Sequence, residues 1–482
     1  MQPLNNQAHF LSSLLKHFGM QPTNGQLSFM KQLADFLLSG HDRELFILKG
    51  YAGTGKTSLV KSIIKTLPAI KMKSVLLAPT GRAAKVLGNY SGKKAQTIHS
   101  KIYKVSTNQF GGMFFALAAN PHTDTLFIVD EASMIQGEDA ELGKSSSDSV
   151  DVLSNLLEYV FSGENCRLLF IGDVAQLPPV GLSVSPALNP DYLKASYYLN
   201  HIQVMELTEV ARQSSDSMIL ADATKIRRQI TEELPDNRLD LQMAADVMNL
   251  NGENFLEKLN ESYARQGHDE TVIITRSNKR ANQYNQGIRA RVLYRDDEIG
   301  GGDILMVVRN NYFWLPADSE AGFIANGDFV EVQKIRNFRE MHGHRFATAT
   351  LRLMDYPGHE PVECTIMLDV LTLESPNLGW EASKKLYESV SLDYQEMEDR
   401  RKRAQAIRND PYLNALQVKF GYAITCHKAQ GGQWNHVYLD HGWIGEEYFS
   451  IEFYRWLYTG FTRAKRQLYL VNFDKRLCNS NA

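Results

Sequence analysis

The sequence predicts an α/β protein with two parallel sheets and a small antiparallel barrel set into the second, and three observations predict it. Apolar runs recur in the N-terminal part: LFILKG from Leu45, SVLLAPT from Ser74, TLFIVDE from Thr125 and CRLLFIGD from Cys166. Each ends where a Gly, Thr or Asp begins a loop, and none alternates with polar residues, which is how strands covered on both faces look. Helix-compatible stretches, TSLVKSIIKTL and GRAAKVLGNY, lie between such runs, and that alternation implies parallel strands joined by crossovers. Lastly, residues from about Gly300 to Val370 change character: ILMVVRNNYFWL, DFVEVQKI, HRFATATLRLMDY and VECTIMLDV are punctuated by Asn-Gly, Pro-Gly and His-Gly. Close-set strands with turn signals predict a small barrel.

The remaining elements follow in order. The α/β pattern returns at TVIITRSNKRANQYN from Thr271, at HVYLD from His436 and at QLYLVNF from Gln467. A second sheet is therefore assembled from sequence-distant pieces, with the barrel inserted between them. The expected boundaries are 1–205 for the first unit, with a small hairpin insertion at about 101–122, then 206–297 and 412–482 for the second, and 298–411 for the barrel and a helical segment. In that segment the basic cluster Arg400 to Arg403 reads as a solvated helix face.

Bulk composition excludes several classes. With 482 residues, 43% hydrophobic and 22% charged, the chain is globular and long enough for about three domains. A net charge of −3 gives no global basic field, so a nucleic-acid partner must be held by a local groove. Cys166, Cys364, Cys426 and Cys478 stand singly, which argues against a disulfide framework or zinc knuckle and for a reducing compartment. No secretory signal stands at the N-terminus, and no apolar run approaches the roughly 18–20 residues of a membrane span. The expectation is a soluble, cytoplasmic protein without a membrane partner.

GYAGTGKT, Gly50 to Thr57, matches the phosphate-binding loop G-x-x-x-x-G-K-[ST] directly after a strand and directly before a helix. The nucleotide-binding set is Gly50, Gly53, Thr54, Gly55, Lys56, Thr57 and Ser58. Glycines let backbone N–H groups close around phosphates, Lys56 reaches the β- and γ-phosphates of ATP, and Thr57 ligates Mg²⁺. A chance match in a chain this long has a probability of about two in a hundred, and the strand and helix context lowers it. One crossover later LFIVDEAS supplies Asp130 as a second Mg²⁺ ligand and Glu131 to orient or deprotonate the attacking water. LLFIGDVAQLPPVG ends its strand at Asp173 and Gln176, the latter placed to sense a γ-phosphate.

GYAGTGKT, LLAPTGRAAKVL, TIHS, IVDEAS, IGDVAQLPPVG, LTEVARQ, GYAITCHKAQGG and YTGFTRAK stand in the order found in the RecD/Pif-type branch of superfamily 1 DNA helicases, which the sequence resembles over nearly its whole length. The resemblance implies two RecA-like P-loop domains, the second carrying an SH3-like β-barrel insertion. It also implies an ATP-dependent helicase that moves 5′-to-3′ on single-stranded DNA and unwinds duplexes in repair, recombination or replication. By the same resemblance Gln26 reads adenine, and Arg212 and Arg463 are arginine fingers. Pro79, Thr80, Arg82, Thr97, His99, Thr425, His427 and Lys428 line the DNA track, where hydroxyls, amides and single cations suit phosphate contacts. Gln430 joins the nucleotide set, but Gln433 stands where the family commonly has Glu, which puts the ribose or P-loop contact in doubt. Phe110, Phe114 and Phe115, in the stretch between TIHS and IVDEAS, are either a strand-splitting pin or a buried cluster. A monomer acting on single strands and duplex junctions, with repair or recombination partners, is the expectation. A helicase-like ATPase subunit that needs a partner and an RNA helicase are the rival readings.

Overall fold

The computed structural model describes residues 2–107, 113–137, 151–199, 201–210, 217–232, 239–316, 319, 321–443, 445, 449–474 and 476–478. The first α/β unit contains β1 (Leu45–Gly50), β2 (Lys73–Ala78), β3 (Ala95–Thr97), β4 (Tyr103–Thr107), β5 (Met113–Leu117), β6 (Thr123–Val129), β7 (Glu164–Gly172) and β8 (Ile202–Leu207). Six of them form one sheet in the order β3-β2-β6-β7-β1-β8, every pair parallel. Strand side chains alternate between faces, and here both faces are filled. Phe46 and Leu48 of β1, with Leu169 and Ile171 of β7, pack under Phe10, Phe29 and Leu33. Leu45, Ile47, Leu168 and Phe170 face Ile98, Leu153 and Leu156 on the other side. That is why the strands read as continuous apolar runs.

β4 and β5 pair antiparallel as a separate hairpin. Of the three candidate aromatics there, Phe110 and the side chains of Phe114 and Phe115 lie outside the described residues, as does Arg212.

In the C-terminal part come β9 (Val247–Leu250) and β10 (Thr271–Thr275), then β11 (Ile304–Val307), β12 (Phe329–Met341), β13 (His344–Leu353), β14 (Val362–Met367) and β15 (Leu416–Phe420), and finally β16 (Ala423–Thr425), β17 (Trp434–Asp440) and β18 (Ala464–Val471). β11 to β15 close into a barrel, and the other five make a parallel sheet in the order β16-β10-β17-β18-β9. The barrel's fifth strand, Leu416–Phe420, lies beyond residue 411, where the expected insertion ended, and β8 carries the first sheet to Leu207. Both strands carry a weak apolar signal: β8 is half-exposed over most of its length, and Gln417 and Lys419 interrupt β15.

Barrel and second sheet are joined at a buried corner. Asn285 donates to the carbonyls of Phe420 (3.0 Å) and Ala423 (2.9 Å) and accepts from the Ala423 N–H (2.7 Å). Beneath it the fully buried Asp303 accepts from Arg289, Arg295, Tyr422 and the Gly300 N–H. Arg400 to Lys402 point into solvent at the start of the helix Arg400–Arg408, which Asp399 caps. Among the described residues, no helix is long and apolar enough to cross a membrane.

A buried ion pair fixes the helix Asn24–Leu38 against the first sheet. Arg167, 5% exposed, pairs with Glu44, 2% exposed, and also donates to the carbonyls of Phe36 (2.7 Å) and Ser39 (2.5 Å). Removing one member leaves the other charge buried and unpaired. Glu44→Ala is therefore expected to cost about 3 kcal/mol, seen as an earlier urea unfolding transition, whereas Glu44→Leu with Arg167→Met should recover most of the loss.

Candidate nucleotide site and single-strand cleft

In the first sheet, loops at the carboxyl ends of neighbouring parallel strands share one edge. There the turns after β2, β6, β7 and β1 bring together Pro79, Asp130 with Glu131, Asp173, and the loop Gly50–Thr57. Gly53 (φ +80°) and Gly55 (φ +84°) adopt left-handed backbone that glycine accepts most readily. Gly55 caps the helix Lys56–Thr66 without a side-chain hydrogen bond, so the N–H groups of that first turn, Thr57 and Ser58 included, remain available to an anion. Lys56 Nζ donates to the carbonyls of Gly50 (2.5 Å) and Tyr51 (3.0 Å). Gln26 sits behind this loop, 2% exposed, its Nε2 donating to the Thr54 carbonyl (3.0 Å) and its Oε1 accepting from the Thr23 N–H (3.0 Å). Its amide ties the loop to the start of the helix Asn24–Leu38, a role the resemblance did not assign.

Asp130 accepts from the Tyr90 hydroxyl (2.5 Å) and from the Glu131 N–H (2.9 Å). Burial beside these two carboxylates pushes the Tyr90 phenol far up, so it stays a donor. Glu131 lies in left-handed backbone (φ 52°, ψ 36°), at a cost of about 1 kcal/mol for a non-glycine residue. Burial raises the Glu131 pKa; Arg463 and Lys56 oppose the rise, and Asp130 and Asp173 add to it. The charges of three other expected catalytic residues, Lys56, Asp130 and Arg463, thus act on Glu131.

The segment Asp173–Leu177 is held from the second unit. Arg455 donates to the Val174 carbonyl (3.0 Å), and the Tyr458 hydroxyl donates to Asp173 (2.7 Å). Thr459 accepts from the Leu177 N–H (2.9 Å), and Gln430 donates to the Leu177 carbonyl (2.7 Å). Gln176, 5% exposed, keeps its Oε1 without a hydrogen-bond partner. Such an atom is costly to bury, and a ligand that donates to it would remove the cost. Arg463, 3% exposed, donates among the described residues to neutral oxygens: Thr459 O (3.1 Å), Gly432 O (3.2 Å) and Thr462 Oγ1 (3.1 Å).

A cleft of about 300 Å³ collects Pro79, Thr80, Arg82, Thr97, His99, His427 and Lys428; Thr425 is not among its lining residues. Two of the hydroxyls serve local structure: Thr80 and Thr97 cap helices by accepting from the N–H groups of Ala83 and Ser100 (both 3.2 Å). Burial lowers the pKa of His99 and of His427, favouring the neutral rings, with Glu452 acting the other way on His427. Arg82 is placed otherwise than a free phosphate contact. Its guanidinium lies over Trp434 of β17 (4.1 Å) and Phe329 of β12 (5.0 Å), joining the first unit to the other two. Gln430 lines the cleft too, and Gln433 is solvent-exposed.

Sequence reasoning missed the barrel's share of this cleft, Asn310, Phe323 and Asn326. Lys428 Nζ donates to Asn326 Oδ1 (2.5 Å), and Phe323 stacks on Tyr312 (4.5 Å between ring centroids). The sequence placed these residues in the barrel insertion and assigned them no part in the cleft. Tyr90 and Tyr458, each carrying a hydrogen bond in the nucleotide site, had no signal beyond lying in matched motifs or beside them.

Comparison with known proteins agrees in layout. An AAA domain model matches residues 23–246 and a UvrD-like helicase C-terminal domain model matches residues 420–471. Uncharacterized protein R530 of Acanthamoeba polyphaga mimivirus is 24% identical over 92% of this chain and 98% of its own length. The ATP-dependent RecD2 DNA helicase of Deinococcus radiodurans is 30% identical over 45% of this chain and 25% of its own length. The ATP-dependent DNA helicase dda of Enterobacteria phage T4 is 29% identical over 54% of this chain and 55% of its own length. The chain thus spans about half of one named helicase and a quarter of the other. The Pif1 helicase from Bacteroides in complex with ADP-AlF3 and ssDNA aligns with 96% of this chain and 95% of its own, at 14% identity and a TM-score of 0.46.

The joint at Arg82 yields a direct test. A Cβ at Gly432 would lie 2.6 Å from the Trp434 ring and 2.8 Å from Arg82 Nε, and one at Gly431 would lie 2.8 Å from Ala83 Cβ. Gly432→Ala is expected to loosen the joint and lower Tm by about 3–6 °C, with faster limited proteolysis between the units.

Proposed function

We infer that this chain, a member of the RecD/Pif-type branch of the superfamily 1 helicases, is an ATP-driven motor that moves along single-stranded DNA and unwinds duplexes ahead of it. One observation carries the reading: the segment from Asp173 to Val180 joins two sites. Its first residue, Asp173, acts with Lys56 and Arg463 on the charge of Glu131, and Pro179 and Val180 line the cleft that holds Lys428.

The first sheet is read as one RecA-like domain and the second as another, with the barrel an SH3-like accessory. ATP enters between the sheets, and Lys56 exchanges the carbonyls of Gly50 and Tyr51 for phosphate oxygens. Glu131, its pKa raised, is suited to accept a proton from the attacking water. Arg463 bears on the developing phosphate charge from the second unit, and Arg212 is proposed as a further finger. Thr57 and Asp130 would hold Mg²⁺. A hydroxyl and a carboxylate are the hard donors that ion takes. Among the described residues no group of three or more His, Cys, Asp and Glu could hold a metal, and the nucleotide phosphates would supply further oxygen ligands. There it offsets charge on the phosphates.

In the cleft, backbone groups, helix-capping hydroxyls and Lys428 contact a strand without reading its bases. The barrel turn closes one side, and the paired strands β4 and β5 stand at the duplex end. Alternate gripping by the two units moves the strand, 5′-to-3′ by family, and the chain acts as a monomer.

Steady-state ATP hydrolysis tests the reading. Single-stranded DNA should stimulate it at least about tenfold, and Lys56→Ala should abolish it. Hydrolysis stimulated by RNA alone would replace DNA with RNA, and hydrolysis seen only with a partner protein would make the chain a subunit.

The pH dependence of binding is a separate expectation. Burial lowers the Lys428 pKa to about 8, so its charge is present below pH 8 and lost above it. Affinity for an oligonucleotide, measured by fluorescence anisotropy at fixed salt, should fall from pH 7 to pH 9. Lys428→Arg, always charged, should flatten the profile.

A further inference from the structure

The Tyr458 hydroxyl occupies a single point between three parts of the molecule. Its ring is 1% exposed on the helix Ile451–Phe461 of the second unit. The oxygen accepts the N–H of Ala52 in the phosphate-binding loop (2.9 Å) and donates to Asp173 Oδ2 (2.7 Å). The other Asp173 oxygen accepts from the Ala175 N–H (3.0 Å), and the Asp173 carbonyl from the Gln176 N–H (3.3 Å). One hydroxyl therefore ties the loop to the turn that aims Gln176.

We propose that Tyr458 is a positioning residue that makes the pose of Gln176, and with it the rate of hydrolysis, depend on closure of the two units. The proposal rests on the ATP-driven reading above. Two further features support it. Gln176 is buried with its Oε1 unpartnered, so no hydrogen bond to that oxygen fixes its pose, and the backbone turn that carries it does much of the aiming. Arg463 lies just past the end of the same helix, bonded to the Thr459 carbonyl, so movement of that helix shifts the arginine and the Tyr458 hydroxyl together. Gln430 and Thr459 hold the far end of the turn at Leu177, beside the cleft residues Pro179 and Val180. Closure around a strand is thus felt at Asp173 through a rigid path, in which Tyr458 supplies the contact with the phosphate-binding loop.

Tyr458→Phe removes the oxygen and keeps the buried ring. The variant is expected to bind a fluorescent ATP analogue without DNA to within about threefold of the native chain, while its DNA-stimulated kcat falls at least about tenfold with KM little changed. Asp173→Asn and the double variant complete a cycle. If the two side chains act as one relay, the double variant loses no more kcat than the worse single one. Unchanged stimulated kcat in Tyr458→Phe would overturn the proposal. So would a fall in kcat, analogue affinity and Tm together, or independent, multiplying losses in the cycle. Absence of Lys56-dependent hydrolysis in the native chain would overturn the ATP-driven reading itself, and this proposal with it.

Discussion

The buried hydrogen bonds between the turn after β7 and the second unit are the constraint from which the rest of the arrangement follows. Asp173, Val174 and Leu177 present a carboxylate, two carbonyls and an N–H to the protein interior, and Tyr458, Arg455, Gln430 and Thr459 satisfy them. In a low-dielectric interior such groups cannot be left unpaired cheaply. Separating the units would break all four contacts at once. The contacts therefore stand or fall as a set, and the nucleotide loop, reached through Ala52, is included in it.

Arg82 plays the corresponding part on the cleft side. Its place over Trp434 and Phe329 binds first unit, second sheet and barrel at one side chain. The two glycines Gly431 and Gly432 exist there because any side chain would strike Ala83, Arg82 or Trp434. Gln433 follows immediately, exposed. A glutamate of the same length at that position would be as free to reach elsewhere, and the close packing belongs to the glycines before it, independent of whether Glu or Gln comes next.

How much of this was legible in the sequence depends on burial. Strands with both faces covered, such as β1, β6 and β7, announced themselves as unbroken apolar runs. β8 at the sheet edge, half-exposed over most of its length, and β16, three residues long, did not. β15 is buried throughout, yet its Gln417 and Lys419 interrupt the apolar signal. The phosphate-binding loop was legible because backbone geometry forces glycines into a fixed spacing. Roles set by tertiary contact were not: Thr80 reads alike as a phosphate ligand or a helix cap, and Arg82 alike as a groove cation or a rivet. Asn326 could be placed only once the barrel turn was seen against Lys428.

Charge explains how a chain of net charge −3 can still present sites for polyanions. The structural cations Arg167, Arg280, Arg289 and Arg295 are each paired with a carboxylate. Lys56, Arg463 and Lys428 are held instead by carbonyl, hydroxyl or amide oxygens. Neutral acceptors orient a cation without neutralising it, so its field stays directed at whatever enters beside it. Neutral acceptors alone do not mark a site, since Lys93 is held by Ser74 in the same way. What separates the three is location: two act on the charge of Glu131, and the third lines the cleft. Overall charge is thus a poor guide to where this protein could hold an anion, because a few cations oriented by neutral acceptors act locally whatever the balance of charge elsewhere.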